Sequence, residues 1–339
     1  MKLDRFYEIT DKFPRLRVAV LGDFCLDRYL EIDGTKKEIS IETRLPVYNV
    51  TNIRSSAGGA GTILNNLSAL GVAQIFPIGF YGDDGEGFEL QRAIRPLAGV
   101  DMSYFFQTTQ RRTFTYCKPI TMLPGKRPVE FNRLDFKNWT PTPMTVEGKV
   151  MDGLFKTAPI IDALILLDQV ETPGAGVFTK RIMGALQNIL KTRPQLPIIG
   201  DSRRNLKNFP SIMLKMNLTE LGTMTKMGGK IDVADIKKIA STLAVQNQKP
   251  VVVTLAEHGM IGALPEGEVE YVPAVPVRKQ IDPVGAGDAV TANLATSLAG
   301  GATLREAMEI ASAAASVVIH QLGTTGTATP FQIASVFSA

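Results

Sequence analysis

The stretch Arg17-Val-Ala-Val-Leu21, closed by Gly22-Asp23, is the first strong apolar run of the chain. Unbroken aliphatic runs of this length are typical of strands that are buried on both faces. Similar runs recur at 74–79, 163–167, 196–200 and 250–255, and helical patterns separate most of them, at 62–70, 85–98, 146–156, 177–191 and 233–246. Strands that alternate with helices predict an α/β fold with a mostly parallel sheet and helices on both faces.

Polar residues follow several of these predicted strands. In an open parallel sheet, ligands bind beyond the carboxyl ends of the strands, so these positions are candidates for function. They are Asp23, Asp27, Asp168, Asp201, Asn217, Glu220 and Thr254.

Two stretches, 30–53 and 103–133, interrupt the alternation. Both are rich in Thr, Tyr, Phe and Val and lack a helical period. We predict short antiparallel strands that leave the main sheet, return to it and pair with each other as a small lid. The alternative is two long surface loops, which are uncommon in compact domains. The predicted apolar lid face is Val47, Val50, Ile53, Phe105, Phe114 and Phe131.

Composition narrows the class of protein. The chain has 339 residues and a net charge of +4, too small and too scattered for a nucleic-acid-binding surface. No apolar run reaches the roughly 18 residues of a membrane span, and the start MKLDRFYEIT has no apolar core of a secretory signal. Two cysteines, Cys25 and Cys117, fit a reducing cytoplasm. We therefore expect one cytoplasmic domain over 1–339, with no room for a second enzyme and no membrane or nucleic-acid partner.

The loop Asp282-Pro-Val-Gly285-Ala286-Gly287-Asp288 leads into a good helical segment. The free amides and the dipole of a helix N-terminus attract anions, and glycines let the backbone approach them. A carboxylate at Asp288 is then unexpected. It is explained if Asp288 takes a proton from a hydroxyl while the amides stabilise a transferring phosphoryl group. The alternative is a glycine-rich helix start that Asp288 caps.

A second glycine-rich turn, Ala57-Gly58-Gly59-Ala60-Gly61-Thr62, enters another amphipathic helix. It either lets a ligand pack against the backbone or serves ordinary packing between strand and helix. The chain has neither GxGxxG with its downstream acid nor GxxxxGK[ST], so a dinucleotide site and a P-loop are not favoured. A nicotinamide-dependent oxidoreductase is excluded on the same ground.

Three further patterns remain. Asn217 and Glu220 face the same way on a first helical turn, where they either orient water on Mg²⁺ or simply cap the helix. A β-branched strand ends at Thr254, and the turn after it reaches Gly259. A helix with very small residues contains Ser312; such a face allows close helix packing or leaves a flat slot for a purine.

Taken together and in this order, these patterns resemble the ribokinase-like (PfkB) family of carbohydrate kinases over nearly the whole chain. The family's DxxGAGD, NxxE, VT-x-x-x-x-G and N-terminal Gly-Gly stand at 282–288, 217–220, 253–259 and 58–59. Within the family, the chain is most similar to the heptose-phosphate kinase domain of lipopolysaccharide-precursor synthesis. That similarity lies in Gly22-Asp-Phe-Cys-Leu-Asp-Arg-Tyr29, Ile39-Ser-Ile-Glu42 with Pro46-Val47, Arg133-Leu-Asp-Phe136 and Leu322-Gly-Thr324.

The resemblance implies a three-layer α/β/α fold with a small β-clasp lid that covers the sugar and often mediates homodimers. It implies ATP as phosphoryl donor, Mg²⁺, and a sugar or sugar phosphate as acceptor, with heptose 7-phosphate and its anomeric hydroxyl as one candidate; a monovalent cation requirement stays open. The implied catalytic residues are Asp288 and the amides of Gly285, Ala286 and Gly287. The implied acceptor residues are Asp27, Gly58, Gly59, Thr62 and Arg133, and the nucleotide residues are Asn217, Glu220, Thr254, Gly259 and Ser312, with Asn217 and Glu220 holding Mg²⁺ through water.

Departures from the family pattern fall mostly at the predicted sugar pocket. Thr62 replaces the usual Asn of the sugar pocket, and Ser312 replaces an Asn near the adenine. Heptose kinases have a basic residue soon after the Asp of the fourth strand, whereas this chain has Asp168-Gln-Val-Glu171. Arg133, Arg203 and Arg204 remain to hold an anionic acceptor. The departures motivate an alternative function, a kinase-like sugar- or nucleotide-binding protein with weak or no catalysis that acts as a sensor or partner subunit. The intact Asp288 favours the active kinase, because a binding module needs no general base.

Overall fold

Strands and helices alternate along the chain as the sequence predicts. The computed structural model describes residues 1–204, 206–226, 232–277 and 279–338. The strands are β1 (Arg17–Gly22), β2 (Phe24–Asp33), β3 (Glu38–Ile39), β4 (Pro46–Val47), β5 (Val50–Gly59), β6 (Gln74–Gly82), β7 (Phe105–Thr108), β8 (Phe114–Met122), β9 (Val129–Glu130), β10 (Leu134–Phe136), β11 (Ala163–Asp168), β12 (Ile198–Ser202), β13 (Met213–Asn217), β14 (Val251–Thr254), β15 (Met260–Ala263) and β16 (Val269–Val272). The helices are α1 (Leu3–Thr10), α2 (Ala60–Ala69), α3 (Gly85–Ile94), α4 (Met144–Thr157), α5 (Lys180–Thr192), α6 (Leu218–Thr225), α7 (Val233–Asn247), α8 (Ala286–Ala299), α9 (Leu304–Val318) and α10 (Pro330–Phe337).

The main sheet has nine strands in the order β16-β15-β14-β13-β12-β11-β1-β6-β7. Pairing is parallel from β14 to β7, and antiparallel at the β14-β15-β16 edge. The predicted α/β fold with a mostly parallel sheet is confirmed. Parallel strands bring their carboxyl ends to one edge, so the polar residues that follow them meet there.

Strand β1 shows why the sheet is covered on both faces. Val18 and Val20 pack into a core with residues of α2, α8 and α9, whereas Ala19 and Leu21 pack into a second core with residues of α4, α5 and α7. All four side chains are fully buried. Because side chains of a strand alternate between its faces, an unbroken apolar run fills two cores at once.

Two predicted helices are shorter in the structure than in the sequence pattern. Helix α3 ends at Ile94 rather than at residue 98, because Pro96 has no amide hydrogen with which to continue the helical hydrogen bonds. Helix α5 starts at Lys180 rather than at residue 177, because the Thr179 hydroxyl accepts a hydrogen bond from the Ile182 amide and caps the helix.

The stretches 30–53 and 103–133 do contribute strands that pair with each other. A second sheet has the order β10-β8-β2-β5, with β9 beside β8 and a small β3–β4 hairpin nearby. Within each stretch the strands pair antiparallel as predicted, β2 with β5 and β8 with β9, and β10 joins β8 in the same way. The two stretches meet through β2 and β8, which run parallel. Strand β2 follows β1 and β8 follows β7. Because β1 and β7 run in the same direction, the two segments leave the main sheet in the same direction, and β2 and β8 are parallel.

Two residues of the predicted lid face were assigned wrongly. Phe105 lies in β7 of the main sheet and is 4% exposed, with its ring 4.7 Å from that of Phe24. Phe114 is equally buried and contacts the ring of Phe80. Val50, Ile53 and Phe131 are exposed as predicted, and Val47 is half-buried. Large aromatic residues at the base of the second sheet instead serve the main core.

Among the described residues, no helix is long and apolar enough to cross a membrane.

Candidate active site

A buried ion pair stands where three elements meet at the carboxyl edge of the main sheet. The Lys215 ammonium of β13 lies 2.7 Å from Asp201 Oδ2 of β12. The Thr291 hydroxyl of α8 donates to the same oxygen at 3.1 Å. Burial disfavours the charge of Lys215, but the neighbouring Asp201 outweighs it, so the pKa of the ammonium is raised. Lys215 is therefore a permanent cation within the fold.

The N-terminus of α8 faces this ion pair. Gly285 holds the left-handed backbone, with φ +84°, that turns the 282–288 loop into the helix. Of the three amides expected to form the anion hole, that of Ala286 donates to the Pro283 carbonyl at 3.2 Å, whereas those of Gly285 and Gly287 have no acceptor within the described ranges. The Asp288 amide, which was not among the three, has none there either. A Cβ on Gly287 would stand 3.2 Å from Lys215 Nζ. Free amides, a helix dipole and an ammonium group thus converge on one small volume that suits an anion.

Asp288 is the carboxylate at this helix start. Burial, reinforced by the nearby Asp201, raises its pKa to about 7, although Lys215 and Arg203 act in the opposite direction. A group with a pKa near neutrality is suited to accept a proton in a neutral solution. The structure places no hydrogen-bond partner on its side chain within the described ranges.

The first glycine pair lies against the second predicted acid. Asp27 of β2 is 3.6 Å from the Lys118 ammonium of β8, and burial raises the pKa of its carboxyl despite that cation. A Cβ on Gly58 would collide with the Asp27 carboxylate. Gly59 has φ +58° and sits under the Asp23 carbonyl, 2.7 Å from where a Cβ would be. A side chain at Gly58 would therefore displace the Asp27 carboxylate, and one at Gly59 would collide with the Asp23 backbone.

Asp23 organises the loop beside this pocket. Its two carboxylate oxygens accept from the amides of Gln169 at 3.0 Å, Val170 at 3.2 Å and Val177 at 2.7 Å. Burial next to Asp168 raises the pKa of Asp23 to about 7. The side-chain oxygen of Gln169 is buried without a hydrogen-bond partner in the described part of the chain.

Other predicted acceptor residues already have partners. The Thr62 hydroxyl is buried and donates to the Ala57 carbonyl. Arg133 forms a bidentate pair with Asp135, at 2.6 and 2.8 Å, and its guanidinium lies 4.6 Å from the centre of the Tyr116 ring. Neither side chain is held ready for a ligand in the conformation described, and their roles remain predictions.

Asn217 and Glu220 form a reciprocal helix cap. The Asn217 side chain accepts from the Glu220 amide at 2.9 Å, and the Glu220 carboxylate accepts from the Asn217 amide at 2.7 Å. Burial and the nearby Asp201 raise the pKa of Glu220. Capping therefore accounts for the spacing, and it engages only one of the two Glu220 carboxylate oxygens. No group of three or more potential metal ligands occurs among the described residues.

The predicted nucleotide residues continue from there along the sheet. Thr254 is the register partner of Asn217. Gly259 has φ +88°, and a Cβ there would collide with the backbone at Val272. The Ser312 hydroxyl donates to the Pro273 carbonyl at 3.3 Å. A groove of about 830 Å³ opens beside this loop, lined among others by Ala274, Pro276, Lys279, Ser312, Ser316 and His320. Its size suits a small ligand.

Sequence reasoning missed Lys215. A signal was present, because Lys215 is the one charge in the otherwise apolar and amide run Met213-Leu-Lys-Met-Asn217. Charged residues are seldom fully buried unless they are paired. A lysine at the last but two position of a buried strand therefore predicts an acidic partner at the sheet edge, although its identity is not given by the sequence.

Comparison with known proteins agrees with this geometry. The sequence profile described as pfkB family carbohydrate kinase matches residues 16–331, so the chain belongs to the PfkB family of carbohydrate kinases.

The relatives of this chain include bifunctional HldE proteins. The one from Bradyrhizobium sp. (strain ORS 278) is 27% identical over 320 residues, which cover 94% of this chain and 63% of the relative. The one from Azorhizobium caulinodans is 29% identical over 308 residues, covering 91% and 61%. The chain thus spans somewhat less than two thirds of the length of these relatives.

Solved structures share the fold. Ribokinase of Arabidopsis thaliana, complexed with ribose and ATP, matches with a TM-score of 0.70 at 17% identity, covering 96% of this chain and 99% of that one. Phosphofructokinase-2 of Escherichia coli, in complex with fructose-6-phosphate, matches with a TM-score of 0.69 at 18% identity, covering 95% and 98%. The ribokinase-like fold is confirmed by both.

The buried ion pair makes a prediction about stability. Lys215→Met should lower the free energy of unfolding by about 3–5 kcal/mol, because it leaves Asp201 buried without its counter-charge. The double variant Lys215→Met/Asp201→Asn should recover most of that loss. Urea unfolding of the two variants and of Lys238→Met, an exposed lysine of α7 outside the site, measures this. Equal stability of Lys215→Met and the wild type would contradict the buried pair.

Proposed function

We propose that the chain transfers the γ-phosphoryl group of ATP to a hydroxyl of a sugar or sugar phosphate. The observation that carries this is Asp288. A carboxylate with a pKa of about 7 stands at a helix N-terminus beside the Lys215 ammonium, and the Gly287 and Asp288 amides there have no acceptor among the described residues. A base and an anion site in contact are what phosphoryl transfer to a hydroxyl requires.

Each group has one task in this mechanism. Asp288 accepts the proton of the acceptor hydroxyl, and the amides of Gly287 and Asp288 stabilise the negative charge on the transferring phosphoryl group. Asp27, held between Gly58 and Lys118, orients the acceptor by accepting from its hydroxyls. The groove beside Ser312 receives the purine of the donor.

The donor set at the acidic edge fits Mg²⁺. Glu220 and Asn217 supply oxygen atoms, and the lack of a larger carboxylate cage among the described residues agrees with an ion held mainly by phosphates and water. Bound with ATP, Mg²⁺ would neutralise charge on the phosphates. Glu220 and Asn217 would hold it through water, and the helix cap keeps both side chains in place.

The acceptor proposed most specifically is heptose 7-phosphate, phosphorylated at its anomeric hydroxyl. This rests on the resemblance to heptose-phosphate kinases and on the HldE relatives, which are bifunctional proteins longer than this chain. Lys118 and Arg133 are the cations proposed to meet an anionic acceptor, and in the described conformation Asp27 and Asp135 hold them.

A second candidate function, sugar or nucleotide binding without turnover, rests on the two predicted acceptor residues that already have partners, Thr62 and Arg133. Asp288 favours the kinase instead, since a half-buried carboxylate without a hydrogen-bond partner in the described chain would destabilise a protein that only binds.

The proposal is tested by ATP consumption over a panel of sugars and sugar phosphates. Asp288→Asn should lower kcat roughly 10²–10⁴-fold while ADP still binds, because the variant keeps the shape of the site and loses the base. Asp235→Asn, an exposed acid on α7, is the matched control. A near-normal rate in Asp288→Asn would remove Asp288 from the mechanism, and a wild-type chain inactive on the whole panel would favour the binding protein.

The raised pKa of Asp288 predicts the acidic limb of the pH profile. Below pH 7 the carboxyl is protonated and cannot accept a proton, so kcat/KM should fall about tenfold per pH unit under pH 7. The residual rate of Asp288→Asn should lack that limb. Profiles with one neutral and one phosphorylated acceptor separate ionisation of the enzyme from that of the substrate. A wild-type plateau that extends down to pH 5 would contradict the assignment.

We further propose that the second sheet is a lid over the acceptor and that two lids form a homodimer. Strand β2 carries Asp27, and Arg28 anchors its base to Glu86 and Glu89 of α3. Farther out, Tyr48 and Phe131 stack at 5.2 Å between ring centres and are both exposed. An apolar patch of this kind favours burial against a second copy, and a monomeric mass at micromolar concentration would contradict the dimer.

Hydrogen exchange tests the lid. The sugar lies directly under the second sheet, so an acceptor should slow amide exchange in 30–53 and 115–133 more than ADP does. Residues 105–108, which lie in the main sheet, should change little and serve as the internal control. Protection of the two segments by ADP alone would contradict the lid.

A further inference from the structure

Arg203 follows the last residue of β12, at the carboxyl edge of the main sheet. Its amide donates to the Asp168 carbonyl at 3.1 Å, so its backbone is anchored to β11. The side chain itself is exposed.

The direction of that side chain follows from its neighbours. The Ser202 hydroxyl and the Arg204 guanidinium both donate to Asp168 Oδ2, at 2.9 and 2.8 Å. Asp201 instead turns to β13 and α8, where its partners lie. Residues 203 and 204 form a bend after β12, and the two neighbours of Arg203 both point to Asp168. The charge of Arg203 acts on Asp27 and Asp288, so its guanidinium faces the site and the start of α8.

The other cations of the site are already paired with carboxylates. They are Lys118 with Asp27, Arg133 and Lys137 with Asp135, Arg204 with Asp168, and Lys215 with Asp201. Within the described ranges, the Arg203 guanidinium has neither an ion-pair partner nor a hydrogen-bond acceptor. Its charge nevertheless lowers the pKa of Asp27, Asp288 and Glu220, so it lies within electrostatic range of the acceptor, base and metal positions together.

We infer that Arg203 is a catalytic residue that binds the transferring phosphoryl group between donor and acceptor. The inference rests on the proposed function. In the step, the acceptor oxygen forms a bond to the γ-phosphorus and gives its proton to Asp288. The bond from that phosphorus to the bridging oxygen breaks, and ADP leaves with the electron pair. Negative charge spreads over the equatorial oxygens as this happens, and a planar guanidinium matches them in shape and charge.

The electrostatics of the site require such a group. Asp27, Asp201, Glu220 and Asp288 present acids to a donor that is itself an anion. Asp201 largely compensates the charge of Lys215, so the ammonium alone offsets little of this repulsion. An exposed arginine without a carboxylate partner in the described chain can approach when the donor binds.

The test compares Arg203→Met and Arg203→Lys with Arg92→Met, an exposed arginine on α3, as control. Arg203→Met should lower kcat roughly 10²–10³-fold, since amides and Lys215 still serve the phosphoryl group. The KM of the acceptor and the Kd of ADP should change less than threefold. Added guanidinium at millimolar concentration should restore part of the rate to Arg203→Met and none to Asp288→Asn. The complex of ADP, Mg²⁺ and aluminium fluoride, which imitates the phosphoryl group in the transition state, should bind more weakly to Arg203→Met than to the wild type.

Two results would overturn the inference. An Arg203→Met chain with an unchanged kcat and a raised acceptor KM for sugar phosphates only would make Arg203 a clamp for the acceptor. A rate lost together with thermal stability and not rescued by guanidinium or by Arg203→Lys would make it structural. A wild-type chain inactive on every acceptor would instead overturn the proposed function, and this inference with it.

Discussion

The ion pair between Lys215 and Asp201 is the interaction on which the site depends. Burying two charges costs several kcal/mol of desolvation, and only close geometry with additional hydrogen bonds offsets it. Here a 2.7 Å contact and the Thr291 hydroxyl supply both. The pair joins β12, β13 and α8, so the register of the sheet and the position of the helix N-terminus are set together.

Charge divides the site into two parts. On the donor side, the α8 amides and Lys215 surround the place of an anion, and Asp288 lies between them and the acids. On the acceptor side, Asp27 is held by Lys118 of the second sheet and by a glycine pair that leaves no space for a side chain. Burial at this edge, reinforced by the nearby Asp201, raises the pKa values of Asp288 and Glu220. A carboxylate that is an ordinary acid in water thereby becomes a base suited to neutral pH.

The fold was predictable to a large extent from local patterns. Apolar runs and helical periods give the strands and helices of the main sheet within a few residues, because burial on two faces leaves a strong signal. The second sheet was harder. Its composition predicts strands, yet the parallel pairing of β2 with β8 depends on β1 and β7 running the same way, which is a property of strand order. The prediction that Phe105 and Phe114 belong to the exposed lid face was wrong, because the local sequence does not distinguish an aromatic residue of a lid from one of a core.

The sequence by itself determined the alternating architecture and the 282–288 loop, because both are encoded by residues adjacent along the chain. It also contains the cap at Asn217 and Glu220, three residues apart. The tertiary structure alone decided which charges compensate one another. Asp201 meets Lys215 across 14 residues and Thr291 across 90, and these distances close only through the strand order. The strand order also decides which cations form ion pairs, because it sets which strand ends lie side by side. Arg133 and Arg204 pair with carboxylates, and Arg203 has no such partner in the described chain.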